Sequence, residues 1–100
     1  MEADRESALP NNRRMLSPEK TLAQARTSQA DADIRFSDLR RLLMRLGFSE
    51  RIRGDHFIYT REGIDEIINL QPRGAKAKPY QVRQVRILII KYELTLNNDE

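Results

Sequence analysis

Two amphipathic stripes bracket the centre of this chain and limit what it can become. Leu39, Leu42, Leu43 and Leu46 fall at the i, i+3, i+4 and i+7 spacing of one helix face. A second stripe runs through Val82, Val85, Leu88, Ile89 and Tyr92. Between them stand three short strand-like segments, separated by Gly54-Asp55 and by Gly63, the middle one rich in aromatic and β-branched residues. A chain of 100 residues has room for one core. Two helices and three strands must therefore share it.

The local chemistry sets the expected boundaries. In the first helix, Ser37 is expected to cap the start, Asp38 favours the positive dipole end, and Gly47 supplies a left-handed stop. Arg40, Arg41 and Arg45 occupy its remaining surface. Residues 48–53 lead into Gly54-Asp55, a two-residue hairpin turn with glycine first. Residues 56–60 form the middle strand, 61–63 a second turn, and 64–72 a third strand ended by Pro72. Alternation puts Phe57 and Tyr59 on one face of the middle strand, and His56, Ile58 and Thr60 on the other. A basic loop, 73–79, precedes the last helix, which has Pro79 near its start. The order predicts an α+β sandwich, α-β-β-β-α, with two helices on one face of a three-stranded antiparallel sheet. Double-stranded-RNA-binding domains have this layout.

Outside the 34–95 domain the pattern is weaker. Residues 1–33 read as a flexible extension with a short helix near 18–27, where Ser17 is the N-cap, Pro18 the first helical residue and Glu19 lies in the first turn. Its apolar positions, Leu22 and Ala25, are too few to bury much. The first sixteen residues lack periodicity and are expected to be a disordered tail, as are 96–100, and TSQADAD reads as a linker.

Composition narrows the function. With no cysteine and one histidine, a disulfide framework and an ordinary zinc site are both excluded, and no metal or cofactor is expected. No run of about 18 apolar residues is present to span a membrane. The start, MEADRESALP, is acidic where a secretion signal needs a cationic segment and an apolar stretch, so a soluble, cytoplasmic protein is expected. Charge is unevenly spread. Residues 1–33 hold five basic and six acidic side chains, whereas residues 34–94 hold thirteen and seven, a net of +6. A compact cationic domain attracts polyanions, nucleic acid above all.

From Phe36 to Leu94 the chain resembles the HicA family, the toxin half of bacterial HicA–HicB toxin–antitoxin pairs. The resemblance rests on the helix SDLRRLLMRLGF, on Gly54-Asp55-His56 opening the strand Phe57-Ile58-Tyr59, on the loop LQPRGAKAKPY, and on the closing helix QVRQVRILIIKY. In many members a second histidine stands where this chain has Phe57, and a small hydroxyl residue where it has Asp55. The resemblance implies an endoribonuclease that cuts mRNA and inhibits translation, held inactive by a HicB-like antitoxin protein.

The chemistry is feasible with one histidine. RNA supplies its own nucleophile, the 2′-OH, so the protein needs a proton acceptor active near neutral pH and cations for the phosphate. Histidine is the side chain naturally poised there, with an unperturbed pKa of about 6.5. His56 is thus the candidate general acid/base, and Arg51, Arg53, Lys76, Lys78 and Arg83 are the candidate RNA contacts. Tyr59 or Tyr80 is either a stacking platform for a base or a core residue. The residues alone favour reading His56 as an exposed polar side chain at the start of a strand, and it is the family resemblance that turns the reading to catalysis. A non-catalytic RNA-binding module and an inactive antitoxin-binding protein of the same fold are the alternatives.

Overall fold

The four leucines of the first stripe are all buried, and they seat a helix that starts one residue before its expected cap. The structure, a computed structural model, describes residues 16–27 and 33–96. The tail expected over 1–15, most of the expected linker (28–32) and residues 97–100 lie outside the described residues. The elements are α1 (Pro18–Ala25), α2 (Phe36–Arg45), β1 (Ser49–Arg53), β2 (His56–Arg61), β3 (Ile64–Leu70) and α3 (Pro79–Tyr92). The sheet is antiparallel throughout, in the order β1-β2-β3. Among the described residues, no helix is long and apolar enough to cross a membrane.

Ser37 is not the N-cap of α2. Arg35 holds that position, without a side-chain cap, and Phe36 is the first helical residue. The buried ring of Phe36 draws it into the core, while its N–H donates to the Ala75 carbonyl at 2.9 Å. The Ala77 N–H donates to the Ile34 carbonyl at 2.8 Å, so the basic loop is pinned to the segment before α2. At the other end Gly47, at φ +96°, closes the helix. The N–H of Gly47 reaches the Met44 carbonyl and that of Phe48 the Leu43 carbonyl, a Schellman closure that needs a left-handed residue. The third strand stops at Leu70 rather than Pro72, and β2 runs through Arg61 before its turn.

Register decides which face is covered. Glu50 pairs with Tyr59, which pairs with Ile68, and Ile52 pairs with Phe57, which pairs with Leu70. That face meets the helices. Phe36 of α2 meets Phe57 edge to face at 5.2 Å, and Lys91 and Tyr92 of α3 both reach Glu66 of β3 at 2.6 Å. Tyr59 is wholly buried and belongs to the core, so it is not a stacking platform. Val82, Val85, Leu88 and Ile89 complete the core from α3, and truncating one such side chain to alanine typically costs about 2–5 kcal/mol.

The first helix buries more than its two apolar positions suggest. Ser17 Oγ accepts from the Lys20 N–H at 3.2 Å, and Pro18, Thr21 and Ala25 are all buried. Asp38 accepts the Leu16 N–H at 3.1 Å, and Arg41 donates to the Leu16 carbonyl at 2.8 Å. Arg86 of α3 donates to the carbonyls of Ala25 and Thr27, filling the open C-terminal end of α1. Leu16 and Leu96, expected in the tails, are held: Leu96 packs against the core.

The Glu50 carboxylate joins α2 to the sheet. Arg40 donates to both oxygens of Glu50, at 2.8 and 2.9 Å, and the Tyr59 hydroxyl donates to it at 2.6 Å. These bonds, Arg40 first, hold the Glu50 carboxyl below its ordinary value of 4.5, and burial together with Glu50 raises the Tyr59 hydroxyl. A carboxylate lowered on folding contributes stability that is complete above its ordinary value and is lost as pH falls through the folded-state value. Glu50→Gln is therefore expected to cost about 1.5–3 kcal/mol at neutral pH. Urea unfolding of both proteins at about pH 7 and about pH 3 checks this, and the gap between them should narrow at the lower pH.

Candidate functional site

Among the described residues one sheet face is covered and the other is left open, and His56 stands on it. Arg53 pairs with His56 across the hairpin, and Arg51 pairs with Ile58, which pairs with Asn69. Paired residues point to the same face, with Cβ atoms about 4.5–5.5 Å apart. Arg51 and Arg53 therefore share the open face with His56, Ile58 and Asn69. The hairpin makes this possible. Gly54 has φ +61° whereas Asp55 has no positive φ, the signs of a type II′ turn, which matches the twist of the flanking strands.

The imidazole is exposed but not free. His56 Nδ1 lies 3.1 Å from the Asn69 amide oxygen, across the diagonal of the β2–β3 pair. Nε2 lies 3.9 Å from Asp55 Oδ1, at the outer limit of an ion pair once the ring is protonated. The other Asp55 oxygen accepts from Gln71 Nε2 at 2.8 Å, and this bond lowers the Asp55 carboxyl below its ordinary range. Gln71 and Gln81 then tie the site to the helix layer. The wholly buried Gln81 donates to the Gln71 carbonyl at 3.1 Å and accepts the Lys78 N–H at 3.0 Å.

The expected cations divide into two groups. Arg51 and Arg53 are exposed beside His56 on the open face. Lys76, Lys78 and Arg83 belong instead to the helix side. Lys76 sits opposite Arg35 in an isolated bridge, with its Nζ 3.3 Å from Asp33. Lys78 is the N-cap of α3 and lies over the exposed Tyr80 ring at 5.6 Å, and Arg83 is exposed one turn further on. The loop that carries Lys76 and Lys78 is attached through Ala75 and Ala77 to Phe36 and Ile34. Asn69 and Gln71 were missed. Ile68 and Leu70 point inward, so alternation alone assigns Asn69 and Gln71 to the histidine's face.

A cavity of about 250 Å³ lies elsewhere, lined by Ser37, Arg40, Arg41, Met44 and Glu50. Its charged groups are already engaged: Arg40 with Glu50, Arg41 with Asp38 and Leu16. It lies on the helix side, away from the imidazole. Among the described residues, no group of three or more His, Cys, Asp or Glu side chains is placed to hold a metal ion.

No family model, curated protein or solved structure matches this chain. The functional reading accordingly rests on the chemistry of the open face.

The turn is the weak point of this site. A Cβ at Gly54 meets nothing within 4 Å, so any penalty there is conformational. Gly54→Ala is expected to cost about 1–2 kcal/mol in thermal unfolding. Gly54→D-Ala, introduced by chemical synthesis, should cost far less, since a D-residue favours positive φ.

Proposed function

We propose that this protein is a small endoribonuclease of the HicA toxin kind, cutting mRNA with His56 as general acid/base. The observation that carries the reading is an exposed imidazole on an uncovered sheet face, with Arg53 directly across the strand pair and Arg51 beside it. In this mechanism Nε2 takes the proton of the 2′-OH. The 2′ oxygen attacks phosphorus, the bond from phosphorus to the 5′ oxygen breaks, and water supplies the proton that the leaving oxygen takes. The products are a 2′,3′-cyclic phosphate and a 5′-hydroxyl. Arg51 and Arg53 stabilise the charge that builds on the phosphate oxygens. Asp55 steadies the imidazolium formed on proton uptake.

The layered arrangement supports the same reading. Helices on one face of a three-stranded antiparallel sheet suit a double-stranded-RNA-binding-domain-like fold, and the excess of basic residues in 34–94 suits a polyanionic substrate. Lys76, Lys78 and Arg83 extend the cationic surface on the helix side for more distant phosphates. Phe57, where many HicA members have a second histidine, packs against Phe36 and Arg40, and so one histidine must act with water. A HicB-like antitoxin protein silences the nuclease by forming an inactive complex.

Purified protein should cleave mRNA with undiminished rate in excess chelator, and His56→Ala should bind RNA as tightly while cleaving none of it. RNA bound equally by both proteins and cut by neither would identify a non-catalytic binding module. Absence of RNA affinity at low salt would leave an inactive antitoxin-binding protein.

The arginines give a separate readout. Arg51→Ala and Arg53→Ala should each weaken RNA binding and lower the slope of log K against log salt by about 0.7 to 1. Titrations at several salt concentrations measure that slope.

A further inference from the structure

A neutral imidazole carries its proton on one nitrogen only, and the bond made by one nitrogen determines what the other can do. Without such a bond, the Nε2–H form of histidine is intrinsically the more stable. That form would leave no lone pair on Nε2. In this protein Nδ1 lies 3.1 Å from the Asn69 amide oxygen, and an amide oxygen only accepts. The proton must then sit on Nδ1, and Nε2 is left bare.

We infer that Asn69 is a positioning residue for His56, selecting the Nδ1–H tautomer and so making Nε2 the proton-transfer atom. The inference rests on the reading of His56 as the general acid/base.

Several features of the fold support this role. Asparagine is disfavoured in strands, and on this face a β-branched residue would suit β3 better. Its neighbours Ile68 and Leu70 are 1% and 0% exposed, so β3 cannot slip and the amide is held at one register. A strand position occupied against local preference, beside the single histidine, marks a residue retained for something other than strand formation. The charges around the ring are few. The hairpin supplies Arg53 and Asp55, the diagonal supplies Arg51, and the end of β3 with the residue after it supplies the neutral Asn69 and Gln71. Asp55, 3.9 Å from Nε2, is beyond hydrogen-bond reach of the neutral ring and stands where it can receive the imidazolium.

Nitrogen-15 NMR of protein labelled at histidine tests this directly, since long-range proton couplings separate the two tautomers of the neutral ring. Wild type is expected to show Nδ1–H. Asn69→Leu should revert to Nε2–H with its amide spectrum otherwise preserved, and Asn69→Asp, which retains an acceptor, should keep Nδ1–H. In RNA cleavage, Asn69→Leu should lower kcat on the order of tenfold with KM unchanged, and Asn69→Asp should recover most of the loss. An Nε2–H ring in wild type would overturn the inference, for it would mean that the amide donates to Nδ1. So would a tautomer unchanged in Asn69→Leu, or a loss seen equally in both variants. Tautomers as expected with no cleavage by wild type would leave the role of Asn69 in place and remove the nuclease reading.

Discussion

Glu50 receives three hydrogen bonds from two directions, and the layering of the molecule depends on them. Two come from the Arg40 guanidinium of α2 and one from the Tyr59 hydroxyl of β2. The same guanidinium lies 4.6 Å over the Phe57 ring. A carboxylate 12% exposed would be costly to bury alone. Paired in this way it becomes a bolt, which holds helix to sheet on the face that Tyr59 and Phe57 bury. His56, one residue before Phe57, then has no choice but to face outward.

The open face that results is chemically sparse. Arg51, Arg53, His56, Asp55, Asn69 and Gln71 meet at its hairpin end, and each has a distinct task in the proposed reaction. Under that proposal two arginines hold phosphate, one imidazole moves a proton, one carboxylate receives the cation, and two amides hold these groups in place. Gln71 also links Asp55 to Gln81, and through it to the first turn of α3. The site and the packing of the last helix are thus parts of one hydrogen-bonded chain.

Much of the architecture was readable from spacing. The leucine stripe, the Gly47 stop, the Gly54-Asp55 turn and the start of α3 at Pro79 are all consequences of local geometry, and local geometry is written in short stretches of sequence. The start of α2 was misread because Ser37 looks like a cap. What displaces it is the Phe36 N–H bonded to Ala75, a partner far along the chain. The burial of α1 was underestimated for the same reason. Its anchors are Asp38, Arg41 and Arg86, and the Arg86 contact to Ala25 spans 61 residues. The course of the basic loop is likewise set by backbone bonds of Ala75 and Ala77 to the segment before α2, partners about 40 residues away that its composition does not show.

By itself the sequence determined the order of elements, the residue alternation along β2 and the isolation of a single histidine among arginines. Each follows from periodicity or composition, which act over a few residues at a time. Only the tertiary structure decided what touches the imidazole. Asn69 reaches Nδ1 because β3 pairs it with Ile58 of β2, and that pairing is held by Ile68 and Leu70 packed inward. Pairing between strands is a long-range choice, made by the core as a whole. For that reason the histidine was visible in the sequence and its partner was not.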